Sequence, residues 1–559
     1  MKEPQPPAIG VSNSPSAFNA AKPLRFLVIG AGSRGTAYAR AVTTTTSGVI
    51  HAVAEPHAFK RQEFGRSFIW TEKDSPQEGQ EFNDWQEWLQ WELKRRQQNP
   101  LAAQPPGVDG VFICTLDETH IEILQAIAPL QLHVLCEKPL ALSLDDCLTA
   151  YRVFGGLAPS TIFSIGHVLR YSPHNILLRK LLLVDRVIGD IVSLEHCEPV
   201  GWWHFAHSYV RGNWRRQTPA GDGSLLTKSC HDIDFILWLL CSPLPPSEDD
   251  ATEITENYSL PHLPRSISST GALTQFRPAR KPATAGTATN CLSCPAEQDC
   301  NYSALKIYRD LHVKQSIFDW PVNIVCPDIE DVVRPALAAT PSDSDATKSA
   351  AVEAAETHLL RRLGEDYSRE NMTDEEIAAR PWYGRCVYDG DNTVCDDQIV
   401  TITWDDEQPS PPSRIPTSQH PLRTAKTASF HMIAPTEKQC ERRGRVYGTH
   451  GEISYDSRTI SIYSFATRST TTVEVPRQPP EEEKSHGGGD YGLARSFVRA
   501  VDAVVNDGWE VQRAQRHFVG CTLEEAVRSH AVVFAAEEAR RDEKVVKWKE
   551  WWEEKVRQV

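Results

Sequence analysis

Residues 24–55 read LRFLVIGAGSRGTAYARAVTTTTSGVIHAVAE, and this stretch decides the fold. LRFLVI (24–29) is an apolar run of strand length, GTAYARAV (35–42) has helical composition, and VIHAVA (49–54) is a second apolar run. Between strand and helix stand Gly30, Gly32 and Gly35 in the spacing G-x-G-x-x-G. Each glycine has its own physical reason there. Gly30 permits the tight turn, Gly32 lets backbone approach a pyrophosphate, and Gly35 lets the helix pack closely on the sheet. Ser33 and Arg34 complete the turn, and the amides of the helix start suit a phosphate. Glu55, twenty residues after Gly35, ends the second run, where a carboxylate accepts from ribose hydroxyls and favours NAD over NADP. Arg61 is the residue that could pair a 2′-phosphate instead, which leaves NADP open; we read it as a solvated helix arginine.

Working outward, GVDGVFICT (107–115) supplies a later strand, and the alternation of strands and helices predicts a doubly wound parallel Rossmann sheet over residues 24–155. In FNDWQEWLQWELKRRQ, Trp85, Trp88 and Leu89 fall at helical spacing and read as a core-facing stripe. Residues 1–23, rich in Pro, Ser and Ala, read as a disordered leader. Beyond Gly155 the pattern changes to longer alternating segments, GDIVSLEHCEPVGWW and DQIVTITW among them. These predict an α+β domain with a large, mainly antiparallel sheet over 156–520, carrying insertions at 335–361 and 405–424. Residues 521–559 read as a C-terminal amphipathic helix whose Trp548, Trp551 and Trp552 pack rather than bind.

Composition narrows the function. At 559 residues the chain exceeds one ordinary core, and 59 Lys plus Arg against 74 Asp plus Glu give a net charge of -15. Such a field repels nucleic acid and anionic membrane surfaces, so neither is an expected partner and a small molecule is. The sequence has no apolar run of membrane-spanning length and no signal-peptide pattern in residues 1–23, so the cytoplasm is the expected compartment. The 14 cysteines are scattered, several inside apolar runs, and read as reduced. Cys291, Cys294 and Cys300 have partial zinc-like spacing, with Cys326 or His312 available to complete a tetrahedral set; structural thiols are the favoured reading.

Cys136-Glu137-Lys138-Pro139 follows the apolar HVL, placing Lys138 at the carboxyl end of a Rossmann strand, the edge where ligands bind in open α/β sheets. Taken with GAGSRG and Glu55, this EKP triplet resembles the Gfo/Idh/MocA family of NAD(P)-dependent oxidoreductases, which includes dehydrogenases of inositol, sugars and other polyols. The resemblance implies cofactor contacts from Glu137 and from Thr115, Asp117 and His120, in a segment similar to the family's TPNxxH. It also implies that GDGSLLTKSCHDIDFILWLL is the active-site helix, with His231 as the catalytic histidine. The family often has Asp four residues earlier, where this chain has Thr227, followed by Lys228. A histidine near a helix N-terminus stays neutral and available as a base. Hydride transfer from a secondary alcohol needs a cation to polarise the oxygen and a base to take the proton, roles given to Lys138 and His231.

Arg170, Tyr171, His207, Arg211, Lys228 and Asp234 are the candidate substrate-binding residues, from a region whose density of polar and aromatic side chains suits a sugar-like ligand. HGGGD at 486–490 is similar to segments near the active site in relatives. The leading expectation is a dehydrogenase of a sugar, inositol or related polyol, able to self-associate through its C-terminal sheet. Two alternatives share the fold: an NAD-using glycosidase and a cofactor-sensing regulator without catalysis.

Overall fold

In the computed structural model, the described residues are 22–70, 75–97, 105–155, 158–243, 261–338, 345–407 and 423–557. The leader expected over 1–23, except Lys22 and Pro23, and most of the insertion expected at 405–424 lie outside them.

Six strands form the first sheet: β1 (Arg25–Ile29), β2 (Val49–Ala54), β3 (Glu81–Phe82), β4 (Gly110–Ile113), β5 (His133–Cys136) and β6 (Phe163–Ile165). All pair in parallel, in the order β3-β2-β1-β4-β5-β6. The order reverses at β1, so a crevice opens between the carboxyl ends of β1 and β4. Strands β4 and β5 are buried throughout, which is why they read as continuous apolar runs rather than alternating ones. Strand β6 carries the sheet past the boundary expected at Gly155. Trp88 is buried, with Trp85 and Leu89 packed against the core, as the helical stripe requires.

The covering layer of this sheet is not all N-terminal. Phe497, on the helix Gly489–Val505, packs edge-on against Phe112 at 5.3 Å between ring centroids and lies 5.8 Å from Phe26. A segment nearly 400 residues from β4 thus completes the first domain.

The second sheet has nine strands: β7 (Ile191–Pro199), β8 (Ser266–Ala272), β9 (Asp397–Trp404), β10 (Lys426–Ile433), β11 (Arg443–Gly448), β12 (Gly451–Tyr455), β13 (Ile460–Ser464), β14 (Ser469–Val473) and β15 (Val546–Lys547). Their order is β14-β13-β12-β11-β7-β10-β9-β8-β15, antiparallel except for the β7–β10 pair. Against it lies the wholly buried helix Cys230–Leu240, with Phe235 5.0 Å from the ring of His196 on β7.

Two expectations need correction. Within the insertion expected at 335–361 the described residues are helical: they fall at the end of Ile329–Ala338 and in Asp345–Leu363, where Ala351, Ala355 and Leu359, spaced by four, are buried. The single C-terminal helix is two. Leu523–Arg541 starts on a Thr522/Glu525 capping box, and after it Glu543 turns the chain at φ 50° so that β15 can pair with β8 before the helix Trp548–Arg557. Trp548 stacks on Trp551 and Trp552 there, so these tryptophans pack as expected. Among the described residues no helix is long and apolar enough to cross a membrane.

Candidate active site

Gly30 has φ +94°, and a Cβ there would stand 2.6 Å from the Cys114 carbonyl oxygen. A Cβ on Gly35 would lie 2.0 Å from the Gly30 carbonyl oxygen, while one on Gly32 would meet nothing within 4 Å. Gly32 precedes the helix Ser33–Thr45 and no side chain caps that end, which leaves its first-turn N–H groups for an anion. Glu55 is anchored beside the turn: one carboxylate oxygen accepts from the Ala31 N–H at 2.8 Å, the other from the His57 N–H at 2.9 Å. Open space, an uncapped helix start and a fixed carboxylate fit a dinucleotide. Arg61 is not the solvated arginine expected from sequence. It braces Glu55 from behind, donating from Nη1 to the Glu55 carbonyl at 2.6 Å and pairing with Glu81 at 2.9 Å.

The turns after β4 and β5 are tied together. Thr119 donates its hydroxyl to that of Thr115 at 2.7 Å, and the Nδ1 and Nε2 of buried His120 lie 2.8 Å and 3.4 Å from the carbonyls of Pro139 and Thr115. His120 therefore braces the two turns instead of offering a free contact to the cofactor. Asp117 accepts from the Trp214 indole N–H at 2.8 Å, and burial raises its carboxyl against the pull of Lys138 and His120. Glu137 and Arg34 are engaged internally as well. Glu137 accepts from Arg34 Nε at 2.8 Å and from the Tyr38 hydroxyl at 2.5 Å, while Arg34 grips Asp490 with two N–H groups at 2.9 Å. Despite burial, Arg34 and His486 hold the Asp490 carboxyl well below the usual range. These two expected cofactor residues instead join the first helix to the HGGGD segment.

The Lys138 Nζ donates to the Thr227 carbonyl oxygen at 2.7 Å, so the catalytic candidate of the first domain meets the short helix Ser224–Thr227 that precedes Cys230–Leu240. Where the resemblance puts an acid, only a backbone oxygen faces Lys138. Four residues on, His231 Nε2 lies 2.7 Å from Arg442 Nη2. A guanidinium has no acceptor, so Nε2 must accept and the neutral ring carries its proton on Nδ1. Burial, reinforced by Arg442, holds His231 well below the ordinary histidine range.

Arg442 also reaches Asp232 at 2.9 Å and Glu198 at 2.7 Å. Burial raises the Glu198 carboxyl to about 7, with Asp232 adding to the rise and Arg442 opposing it. Lys228 Nζ stands 3.3 Å from Glu198 and 3.1 Å from the Cys440 sulfur, which is 3.6 Å from His204 Nδ1. Burial works against ionisation of Cys440, but Lys228 and Arg442 outweigh it and hold the thiol below its ordinary value. The ligand atoms of Glu198, His231 and Asp232 lie within 4.8 Å of one another, as a metal would need. The Arg442 guanidinium already binds all three and supplies that positive charge.

Lys228 is thus at the cluster, but the other candidate substrate residues are not. Arg170 and Asp234 form a buried bidentate pair at 2.7 and 2.8 Å that Ser529 completes, and the Tyr171 hydroxyl donates to the Val519 carbonyl. His207 meets the Tyr308 hydroxyl at 3.0 Å and stacks on Tyr383, while Arg211 binds the carbonyls of Arg385 and Tyr302. All five are buried with internal partners, which makes them frame rather than contact surface. Cys326 and His312 also stand apart from the other cysteines, Cys326 beside Asp328 and Arg362, and His312 on the Ile307 carbonyl. Sequence reading missed Arg442, Glu198 and Cys440.

Residues 24–154 match the family described as "Oxidoreductase family, NAD-binding Rossmann fold". Among curated proteins the chain is similar to 2,7-anhydro-N-acetylneuraminate hydratase of Escherichia coli (strain K12), 29% identical over 133 residues, 24% of this chain and 34% of the relative. It is 30% identical over 136 residues to 1,5-anhydro-D-fructose reductase of Ensifer adhaerens, 24% of this chain and 38% of that one. The matches span little more than a third of these relatives. Among solved structures, levoglucosan dehydrogenase in complex with NADH superposes with a TM-score of 0.53 at 14% identity, covering 94% of this chain and 99% of that one. An oxidoreductase from Agrobacterium radiobacter in complex with NAD+, L-tartaric acid and magnesium gives 0.52 at 12% identity, covering 94% and 98%. These two likenesses are of fold.

Proposed function

From the match of residues 24–154 to the oxidoreductase family with an NAD-binding Rossmann fold, we propose that the protein is an NAD(P)-dependent dehydrogenase of a sugar, inositol or related polyol. It oxidises a hydroxyl group or reduces the corresponding ketone. The observation that carries this reading is the meeting of Lys138, from the carboxyl edge of the parallel sheet, with Thr227, four residues before His231. The sugar-like substrate class rests on relatives named for anhydrosugars and inositol.

The nicotinamide, when bound, supplies the hydride acceptor or donor. Lys138 spends one N–H on the Thr227 carbonyl and has two more with which to hold and polarise the substrate oxygen. His231 takes the hydroxyl proton at Nε2 once the substrate hydroxyl replaces the Arg442 N–H there. Because Thr227 contributes only its carbonyl, the proton path leads from His231 toward Asp232 and Glu198 rather than to a carboxylate beside Lys138. Lys228 flanks the substrate, and Asp117, Glu55 and the glycine turn hold the dinucleotide. The open face of the nine-stranded sheet, where Val192 and Ile399 are exposed, is the surface for a homo-oligomer.

The test is NADH or NADPH formation with a panel of free polyols and sugars. Lys138→Ala is expected to lower kcat/KM by about 100-fold or more, the usual scale for a positioned acid or base. Cleavage of aryl glycosides without net NADH would overturn the reading in favour of a glycosidase, and NAD binding without any turnover in favour of a regulator.

A further inference from the structure

We propose that Cys291, Cys294, Cys300 and Cys386 form a structural zinc site in the second domain, built around buried Arg211 and distinct in its residues from the cluster at Arg442. The fold brings the four together from two segments. Cys291 and Cys294 bracket one 3-10 turn, Glu297–Asp299 forms a second that leads into Cys300, and a bridge between Asn290 and Arg385 lays this segment against the chain carrying Cys386. The Cys291 N–H bonds to the Gly384 carbonyl at 2.9 Å and the Cys386 N–H to the Thr289 carbonyl at 2.8 Å, so these two cysteines sit across one backbone ladder. All four line a single cavity of about 20 Å³, room for one water-sized atom.

Hydrogen-bond donors are aimed at one of the sulfurs. Cys291 Sγ accepts from the Ala304 N–H at 3.4 Å and from Arg211 Nη2 at 3.5 Å. Donors aimed at sulfur orient metal-bound thiolates and disperse their charge.

Charge gives an independent argument. Arg211 is 2% exposed, and its hydrogen bonds besides the one to sulfur go to the Arg385 and Tyr302 carbonyls. Among the described residues no carboxylate lies within ion-pair distance of it. A buried cation needs a counterion, which four neutral thiols do not provide. Four thiolates around Zn²⁺ carry a net charge of about -2 and do. No three of the sulfurs lie within 4.8 Å of one another, whereas zinc–sulfur bonds near 2.3 Å need sulfurs about 3.8 Å apart. Binding therefore draws the side chains inward onto the cavity, and each thiol releases its proton to solvent as its bond to zinc forms.

The experiment is elemental analysis of the full-length protein purified under reductant, followed by Co²⁺ titration of the metal-stripped protein. The expected result is one zinc per chain, lost in Cys300→Ser and in Cys386→Ser but kept in Cys326→Ser, with a thiolate-to-Co²⁺ charge-transfer band and the visible spectrum of tetrahedral Co²⁺. The titration of the unaltered protein keeps the test decisive if the serine variants fail to fold. Absence of zinc both as purified and after incubation with Zn²⁺, iron in its place, or a disulfide among the four cysteines would each overturn the proposal.

Discussion

Arg442 donates from Nη2 to Nε2 of His231 at 2.7 Å, so burial and a cation on its only lone pair together hold the candidate base neutral. Arg442→Gln removes that charge and lets the His231 pKa rise from well below 6.5 toward it. The acid limb of the kcat/KM profile is then expected to move to higher pH, with the larger loss at pH 6 than at pH 8. Arg442→Lys, which keeps a positive charge, should restore most of the original limb. Identical profiles for the parent and Arg442→Gln would remove His231 from the proton path.

The glycines of the first turn should separate folding from cofactor binding. At Gly35 an added methyl collides with backbone, so Gly35→Ala should cost about 1–3 kcal/mol or more and lower Tm by several degrees. At Gly32 it meets no protein atom, so Gly32→Ala should keep its Tm while NAD affinity, read by calorimetry, falls at least tenfold. Equal effects of the two would mean that the space above Gly32 is not a ligand site.

Asp490→Asn breaks the bidentate contact with Arg34 and leaves a half-buried guanidinium with Glu137 and the Tyr38 hydroxyl. Urea denaturation is expected to show a loss on the order of 2–4 kcal/mol. Because this link joins the first helix to the HGGGD segment, NAD affinity should weaken with it. An unchanged urea midpoint would show that the pair contributes nothing net.

Burial pushes His133 down to about 4, and its Nδ1 accepts from the Ile162 N–H. The unfolded chain takes up a proton near pH 6.5 that the folded protein refuses until about 4. This contribution to stability is therefore complete above pH 6.5 and lost as pH falls through that window, on the order of 2–3 kcal/mol. His133→Asn, whose side-chain oxygen can replace Nδ1, should be less stable than the parent at pH 8 and lose less stability between pH 6.5 and 4.5. Parallel Tm curves for the two would count against the assignment.

Reading from sequence succeeded where the physics is local. GAGSRG follows an apolar strand and opens a helix, and only glycine tolerates the φ of Gly30 or the contact at Gly35. The place of Lys138 at the carboxyl edge of the sheet was legible because its strand ends two residues before it, at Cys136. Glu198 and Arg442 were not, since they meet only through the pairing of β7 with β11, in which Cys197 stands opposite Arg443. No pattern within a short window carries that register. The misreading of Arg170 and Asp234 has the same origin: each looks like a polar residue on offer until the fold closes one upon the other.

The helix Gly489–Val505 that covers β1 and β4 has a bearing on biosynthesis. A typical dinucleotide-binding domain can collapse as soon as its own residues leave the ribosome, N-terminal part first. Here Phe26 and Phe112 wait for Phe497, and Arg34 for Asp490. The part of the first sheet's apolar face that Phe497 covers therefore stays open through most of translation, although Tyr38 already packs on Phe112. An early stop in the message before residue 490 leaves neither domain complete.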